Sequence, residues 1–255
     1  MNLTLTTLPG IPLVRPGDDL PSMLLAALQR AGLSLEDGDI LVLAQKIVSK
    51  AEGRLANLGD TRPSVQALDL GRQADKDPRL VELILQESRE VLRVRPGAII
   101  VEHRLGFVCA NAGIDHSNVA GDSGASGDWV LLLPADPDAS ACLLRERLEA
   151  SSGKRLGILI IDSHGRAWRN GTVGMAIGLS GLPGLEDLRG RADLFGYALR
   201  ITQVGVADEL AAGASLMMGQ AAEGTPAVHV RGFPYPLREG SLKELIREKE
   251  QDLFR

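Results

Sequence analysis

Apolar and polar residues follow one another along the chain in blocks that predict helices and short buried strands. The clearest helical spacing lies in 77–93, where apolar side chains recur three or four positions apart. Asp77 is a candidate capping residue, and Pro78 suits the first position of a helix. We therefore predict a helix over 77–93 that ends before Pro96 and Gly97.

Further segments with helical patterns are 18–32, 136–150, 206–222 and 241–251. Gly32 closes the first of them, as glycine commonly does after the last helical turn. The segment 206–222 is rich in small residues, which predicts close packing against a neighbouring element. In the last segment, Ser241 and Glu244 have the spacing of a capping box.

Compact apolar runs of strand length separate these helices. They are 98–103, 106–110, 129–133 and 156–161, with a turn and a further buried strand within 37–49. Strands and helices mix without a regular βα rhythm, which favours an α+β fold of mixed sheets flanked by helices over a doubly wound sheet. A chain of 255 residues can bury its core as a single domain, 1–255, or as two closely packed lobes.

The overall charge argues against nucleic acid as a partner. The net charge is −5 at pH 7 and the pI is near 5.5, whereas binding to a phosphate backbone depends on an excess of basic residues. Aromatic residues make up only 3% of the chain, which leaves few rings to stack on bases. A phosphorylated small molecule is still compatible, because a few placed cations and metal ions can hold it.

Cysteine content and the length of the apolar runs indicate a cytoplasmic protein. Cys109 and Cys142 are too few for a Cys-rich zinc site or a disulfide framework, and buried thiols suit a reducing compartment. The apolar runs are far shorter than a membrane span. Residues 1–10 have neither the basic segment nor the long apolar core of a signal peptide. We therefore expect no membrane segment and no secretion.

Several standard signatures are missing from the sequence, namely the GxxxxGK[ST] phosphate loop, GxGxxG and HExxH. One tetrapeptide, GDSG at 121–124, matches the nucleophile region of trypsin-like proteases. His103 and His116 precede Ser123, but a protease of this kind also needs an orienting acid and an oxyanion hole. A helix-rich chain with two cysteines does not suit that class, so we interpret GDSG as a loop.

Polar residues of two kinds follow predicted strands in the first half of the chain. QKIVSKAEGR (45–54) ends a strand with Lys46 and Lys50, which are either functional cations or solvated charges. NAGIDHSN (111–118) offers Asp115 and Asn118, whose hard oxygens suit Mg²⁺ or Mn²⁺. A plain turn is the alternative for this loop, and we interpret His116 as a turn residue.

Two stretches in the second half of the chain add candidates. In IIDSHGRAWRNG (160–171), a buried run delivers Asp162 and Ser163 at the carboxyl end of a strand, and the following arginines could grip oxyanions. An Asp-Ser turn with surface arginines is the alternative. In MGQAAEGTP (218–226), Gln220 and Glu223 could contact a metal or a nucleotide, unless Gly224 simply terminates a helix.

Taken in register, several stretches resemble the coenzyme F-420: L-glutamate ligase family, which adds glutamate to the side chain of a 5-deazaflavin coenzyme. The matching stretches are LPGIPLVRPGDDL (8–20), DGDILVLAQKIVSKAEGR (37–54), DPRLVELILQES (77–88), NAGIDHSNV (111–119), IIDSHGRAWRNGTVGMAIG (160–178) and VADELAAGASLMMGQAAEGTPAVHVRG (206–232). They cover most of 8–232. Each is ordinary alone, but together they are hard to obtain by chance.

The resemblance implies an amide ligase that depends on GTP and on a divalent metal, Mg²⁺ or Mn²⁺, with two ions expected. It also implies an α+β fold peculiar to the family, a homodimer and, as a further expectation, a requirement for K⁺. The substrates would be the deazaflavin precursor, L-glutamate and GTP. Some relatives carry a C-terminal flavin-reductase-like domain; the last matching stretch ends at 232 and the chain at 255, which predicts the stand-alone form.

Site residues transfer from the family position by position. The resemblance implies a GTP site lined by Leu8, Pro9, Gly10, Ile11, Gln45, Lys46, Lys50, Asn118, Met218, Gly219, Gln220, Ala221, Ala222, Glu223, Gly224 and Thr225. It implies one metal at Asp115 and Asp162 and a second at Ser163 and Gln220, with Lys50, Asp115 and Asp162 as the catalytic residues. Relatives often have hydroxyl residues in place of Gln45 and Lys46. Some have glutamate in place of Gln220, and the neutral amide of Gln220 would weaken the binding of the second metal.

A carboxylate needs activation before an amine can attack it, and GTP would supply this by forming an acyl phosphate. No residue is an obvious general base for the glutamate amine. Two alternatives to this function stay open. A related metal-dependent ligase would act on another carboxylated cofactor, and a non-catalytic protein would bind the nucleotide without turnover.

Overall fold

The computed structural model describes residues 2–116, 119 and 128–252. Its strands are β1 (Thr4–Thr7), β2 (Ile40–Ala44), β3 (Leu55–Asn57), β4 (Ser88–Arg95), β5 (Ala98–His103), β6 (Val108–Ala110), β7 (Trp129–Leu131), β8 (Gly157–Arg166), β9 (Arg169–Ser180), β10 (Glu186–Asp187), β11 (Gln203–Val204) and β12 (Ala227–Arg231). Its helices are α1 (Leu20–Arg30), α2 (Gln45–Ala51), α3 (Val65–Ala74), α4 (Pro78–Gln86), α5 (Pro137–Ser152) and α6 (Val206–Met218). This mixture of segregated sheets and helices confirms the predicted α+β class.

The main sheet has five strands in the order β1-β12-β2-β8-β9. Only β2 and β8 are parallel; the other neighbours are antiparallel. Helices cover both faces of the sheet. Alternate residues of the central strands point to opposite faces, so each strand contributes to two cores. Leu41 and Ile158 pack on one face in the core that includes α1 and α5, whereas Val42 and Leu159 pack on the other face with α6.

A second layer is built from the three-stranded antiparallel sheet β4-β5-β6 and the helices α3 and α4. Its core includes Val81 and Ile84 of α4 with Ile99 and Val101 of β5. Phe107, in the turn before β6, packs against this core and against both cores of the main sheet. It therefore joins the second layer to the sheet.

The helix α6 lies very close to β9, as its small residues predict. A Cβ atom built on Gly174 would collide with Ser215 and with the backbone of Ala211. This approach is open only to glycine on the strand and to small residues on the helix. Of the helices in the described part of the chain, none has the length and apolar character that a membrane crossing requires.

The predicted helix over 77–93 is wrong in its second half. The helix ends at Gln86, and Ser88–Arg95 forms β4 instead. Val91 and Val94 pair with Val101 and Ile99 across the sheet. Over so short a run, the spacing of the apolar residues fits either a helix or a strand. Packing of β-branched residues across the sheet decides in favour of the strand.

Three other predictions also need correction. The stretch 45–54 does not form the end of a strand, because Gln45–Ala51 is the helix α2. Asp162 and Ser163 do not end a strand, since β8 continues to Arg166 and returns as β9 in a hairpin.

The segment 241–251 is not a continuous helix but contains two short 3₁₀ turns, and Ser241 makes no side-chain cap. The Glu244 carboxylate accepts hydrogen bonds from the backbone of Gly184 and Leu185 and pairs with Arg238. That tertiary role competes with the capping box and replaces it.

Candidate functional site

The carboxyl end of β2 meets β8 at one edge of the main sheet, because the two strands are parallel neighbours. Ala44, the last residue of β2, pairs with Ile161 of β8. The residues that follow, Gln45 and Asp162, therefore emerge side by side. The strand β12 also begins here, since it runs antiparallel to β2. Three inner strands thus deliver side chains to one place. We call it the sheet edge site, and the edge meant is the one at which β2 ends and β12 begins, not an edge strand.

The chain reaches Asp115 through a left-handed turn. Asn111 and Ala112 both have φ of 52°, and Gly113 has φ of 64°. This region costs roughly 1–2 kcal/mol for a residue with a side chain, so the surroundings must hold the turn. Asp115 then exchanges two backbone hydrogen bonds with Leu131, of 3.0 and 2.9 Å. The turn and this bridge fix the position from which the Asp115 carboxylate enters the sheet edge site.

The Asp115 carboxylate is contacted by the first turn of α2. Its Oδ2 accepts a hydrogen bond of 2.8 Å from Nε2 of Gln45 and lies 3.4 Å from Nζ of Lys46. Burial raises the pKa of Asp115, the Lys46 ammonium opposes that rise, and the Asp162 carboxylate adds to it. Two carboxylates therefore repel each other in a partly buried place, which a cation would relieve.

Asp162 and His164 lie on the same face of β8, because they are two residues apart on a strand. Nε2 of His164 lies 3.1 Å from Oδ2 of Asp162, but not in hydrogen-bond geometry. Phe107 packs on the His164 ring with a centroid distance of 5.1 Å.

Burial, and then the Asp162 carboxylate, raises the pKa of the Cys109 thiol to about 12. That thiol is therefore protonated and unreactive near neutral pH.

Ser163 points to the opposite face of β8, where it meets the end of α6. Its hydroxyl donates to Oε1 of Gln220 at 2.7 Å, and Nε2 of Gln220 donates to Oγ of Ser215 at 2.9 Å. The structure thus brings together the two residues of the predicted second metal pair. Because neighbouring strand residues alternate in direction, this pair and the Asp115–Asp162 pair lie on opposite sides of the strand.

The predicted nucleotide loop, Met218–Thr225, follows α6 and leads into β12. The helix ends at Met218, before the predicted end at 222, and Gly219 with φ of 74° follows it, so Gly224 is not the helix terminator. Glu223 accepts a hydrogen bond of 2.8 Å from Ala221 N within the loop, and Thr225 Oγ1 donates to the Met218 carbonyl at 3.0 Å. The loop is therefore closed on itself beside Ser163.

The predicted turn Leu8–Ile11 also lies at the sheet edge site. The amide of Leu8 donates to the carbonyl of Ala227, the first residue of β12, at 2.9 Å. Gly10 has φ of 72°, and its carbonyl accepts a hydrogen bond of 2.8 Å from Nη2 of Arg30. The two stretches predicted to line a nucleotide site therefore meet at the start of β12, although they lie at opposite ends of the chain.

Lys46 and Lys50 are one helical turn apart on α2. Burial, and then the charge of Lys46, lowers the pKa of Lys50. Gln45 is buried, and both ends of its amide are engaged, since Ser49 donates to its Oε1 at 2.9 Å while its Nε2 donates to Asp115. Gln45 thus holds Asp115 in place, a role that sequence reasoning missed when it assigned Gln45 only to the nucleotide.

The oxygen atoms offered by the candidate ligands are of the kind that hard divalent ions bind, and they form two separate pairs. They are the carboxylates of Asp115 and Asp162 and, across the strand, the hydroxyl of Ser163 and the amide oxygen of Gln220. Oxygen ligands of this kind suit Mg²⁺ and Mn²⁺, which retain waters or phosphate oxygens to complete their coordination. Among residues 2–116, 119 and 128–252, no group of three or more His, Cys, Asp and Glu side chains could hold a metal.

Some predicted residues fall outside what the structure describes. Asn118, assigned to the nucleotide, and Ser123 of the GDSG loop both lie there. His164 was not singled out from the sequence. The spacing Asp-x-His places both side chains on one face only of a strand that continues through 164, whereas the predicted strand ended at 161.

Comparison with known proteins identifies the family. The model of the F420-0:gamma-glutamyl ligase family matches residues 10–232. The chain is 49% identical over 257 residues to the coenzyme F420:L-glutamate ligase of Methanothermobacter thermautotrophicus, with 100% of both chains covered. It is 48% identical over 246 residues to the enzyme of that name from Methanopyrus kandleri, covering 95% of this chain and 93% of the relative. This chain belongs to the F420-0:gamma-glutamyl ligase family.

Proposed function

We propose that this protein is a ligase that adds L-glutamate to the side-chain carboxylate of the deazaflavin coenzyme F-420 precursor, with GTP converted to GDP and phosphate. The names of its relatives support glutamate ligation in this pathway. The observation that supports the chemistry best is the meeting of Asp115 and Asp162 beside Lys46 of α2. Carboxylates and ammonium groups from distant parts of the chain are the groups that metal-assisted phosphoryl transfer requires.

Asp115 and Asp162 would hold one divalent ion, and Ser163 and Gln220 a second. Each such ion would neutralise the phosphate oxygens on its own side of β8. Lys50 would add a fixed positive charge toward the phosphates, as lysines do in other phosphoryl-transfer sites. Lys46 would balance the charge of Asp115, from which it lies 3.4 Å.

The proposed reaction has two steps. An oxygen of the precursor carboxylate attacks the γ-phosphorus of GTP, the bond to the β-phosphate oxygen breaks, and GDP leaves. The α-amine of L-glutamate then attacks the acyl carbon, phosphate leaves with the oxygen of the former carboxylate, and the amine loses its proton. Further glutamates could be joined through their γ-carboxylates by the same chemistry.

GTP would be held by the turn Leu8–Ile11, by the loop Met218–Thr225 and by Asn118. Backbone amides in glycine-containing turns are suited to phosphate oxygens because they present N–H groups without a side chain in the way. Arg30, bonded to the Gly10 carbonyl at 2.8 Å, would keep the first turn in place. A K⁺ requirement is proposed with this function on the resemblance alone, and a cytoplasmic location on the two cysteines and the short apolar runs.

We extend the proposal to a homodimer. The hairpin 186–204, which β10 and β11 hold together, exposes Leu194, Phe195 and Ile201 at 97%, 95% and 87%. Large apolar side chains exposed on one hairpin are typical of a protein contact, and a second copy of the chain is the proposed partner. Light scattering should find a dimer for the wild type and a monomer for the double variant Leu194→Ser with Phe195→Ser; a monomeric wild type would overturn this part.

The function is tested by incubating the protein with GTP, Mn²⁺, L-glutamate and the deazaflavin precursor. Mass spectrometry should find the precursor heavier by whole glutamate residues, with GDP formed in the same amount. GDP release with a different carboxylated acceptor would favour the related ligase. GTP binding without any GDP release would favour the non-catalytic protein.

A further inference from the structure

The side chain of His164 is buried beside Asp162 and has an unsatisfied nitrogen. It is 5% exposed, and its Nε2 has no hydrogen-bond partner among the residues that the structure describes. A buried polar atom without a partner destabilises the folded protein, and such atoms in native proteins call for an explanation. The nearest carboxylate oxygen, Oδ2 of Asp162, lies only 3.1 Å away.

The ring of His164 has little freedom to move elsewhere. Phe107 packs against it at 5.1 Å with an angle of 46° between the planes. Phe107 in turn stacks on His103, at 5.2 Å and nearly parallel. His164 therefore ends a column of three rings that runs from β5 to β8 and is anchored where the cores of both layers meet. The direct contact with Phe107 holds the imidazole beside Asp162.

We propose that His164 is a positioning residue for Asp162. A small rotation of the carboxylate brings Oδ2 onto the Nε2–H of His164, which then donates to it and leaves the other oxygen for the metal. This inference rests on the metal centre of the proposed function. Ligating carboxylates are commonly held by such hydrogen bonds, and loss of the partner typically weakens metal affinity or activity by 10–100-fold.

The geometry explains why a histidine suits this place. Asp162 and Asp115 are close enough to repel each other, so without a holding partner Asp162 would turn away from Asp115. An imidazole N–H donates a hydrogen bond to the carboxylate from a ring that Phe107 holds in place. Ser163 cannot replace it, because it points to the other face of β8 and donates to Gln220.

The test measures Mn²⁺ binding by electron paramagnetic resonance on purified protein without precursor or glutamate. His164→Ala should weaken Mn²⁺ binding by about 10–100-fold. His164→Gln should restore much of it, because its amide nitrogen stands as many bonds from Cβ as Nε2 of histidine does. His103→Ala, at the far end of the same ring column, should bind Mn²⁺ as the wild type does. Thermal unfolding is recorded for each variant.

The outcomes separate this role from the wider function. If His164→Ala is folded and binds Mn²⁺ like the wild type, the role of His164 is overturned while the metal centre stands. If Ala and Gln variants lose Mn²⁺ equally and His103→Ala loses it too, His164 serves packing alone and the role is overturned. If the wild type binds no Mn²⁺ even with GTP, the metal centre fails, and this role fails with it.

Discussion

Nε2 of Gln45 donates a hydrogen bond of 2.8 Å to Oδ2 of Asp115. This contact ties the first residue of α2 to the loop that follows the left-handed turn at Asn111–Gly113. The other end of the Gln45 amide accepts from Ser49, so the side chain is fixed before it reaches Asp115. Gln45 therefore orients a proposed metal ligand, although its position in the family pattern would assign it to the nucleotide.

Gln45→Ala should weaken the binding of the metal more than the binding of the nucleotide. The substitution removes the donor to Asp115 and leaves the Ser49 hydroxyl without its acceptor, at a cost of about 1–3 kcal/mol in the free energy of unfolding. Mn²⁺ affinity should fall by about 10–100-fold, while the KM for GTP at saturating Mn²⁺ should change little. A raised KM for GTP with unchanged Mn²⁺ affinity would show that Gln45 contacts the nucleotide instead.

Asp115→Ala and Asp162→Ala should abolish most of the ligation while the protein stays folded. Loss of a metal ligand that costs about 3–4 kcal/mol in the transition state lowers the rate by hundreds-fold. Removal of Asp162 relieves its repulsion of Asp115, so the thermal stability of Asp162→Ala without metal should not fall with activity, whereas Asp115→Ala also leaves the buried Gln45 amide without its acceptor. Glu209→Ala, on the first turn of α6, is the matched control. Near-normal activity in either aspartate variant would refute the metal assignment.

Gln220→Glu should strengthen the binding of the second metal. The change adds a negative charge beside Ser163, and ligand charge raises affinity for hard cations. The Ser215 hydroxyl, which accepts from Gln220 at 2.9 Å, can turn and donate to the new carboxylate. We expect about tenfold tighter binding of the second Mn²⁺ in the presence of a GTP analogue, and calorimetry measures it. Unchanged affinity and stoichiometry would place the second ion elsewhere.

Acid should destabilise the protein through His103. Burial, with the charge of Arg104 as the next cause, lowers the pKa of His103 to about 4 from an ordinary 6.5. Its Nδ1 accepts a hydrogen bond of 3.1 Å from Leu105 N, which protonation of Nδ1 would break. The unfolded chain takes up a proton below pH 6.5 and the folded protein does so only near pH 4, so stability is lost as the pH falls across this window.

The size of the His103 effect is up to about 3 kcal/mol in the free energy of unfolding. Burial raises the pKa values of Asp115, Asp138 and Asp208, so each takes up its proton at a higher pH in the folded protein and opposes the effect of His103. Urea unfolding at pH 7 and at pH 4.5 should therefore be compared between the wild type and His103→Asn, because those carboxyl groups are common to both. The difference between the two proteins should shrink on acidification. A constant difference would contradict the assignment.

The predicted fold was sound where local patterns and tertiary contacts agree. Asp136 and Pro137 begin α5 as the Asp-Pro pattern predicts, with Asp136 accepting from Ala139 N at 3.0 Å. The pattern failed at β4, where Val91 fits the helical spacing and yet pairs with Val101 of β5. It failed again at Glu244, whose partners Gly184 and Leu185 lie far away in sequence. Contacts of this kind cannot be read from local spacing.

The members of the site were named from the resemblance, but their arrangement was not. The sequence placed Asp162 and Ser163 at the end of a strand, whereas both lie within β8 and point to opposite faces. The ring column from His103 through Phe107 to His164 was beyond prediction, because it depends on how the second layer packs against the main sheet. The hydrogen bond from Gln45 to Asp115 depends on the same packing.

The acyl phosphate is the central claim, and the fate of the carboxylate oxygen tests it most directly. The deazaflavin precursor is labelled with ¹⁸O in both oxygens of its side-chain carboxylate and is incubated with the protein, GTP, Mn²⁺ and L-glutamate. Mass spectrometry of the released phosphate should find one ¹⁸O atom for each glutamate added to the precursor. Phosphate without ¹⁸O, in a reaction that still forms the glutamate amide, would contradict activation through an acyl phosphate.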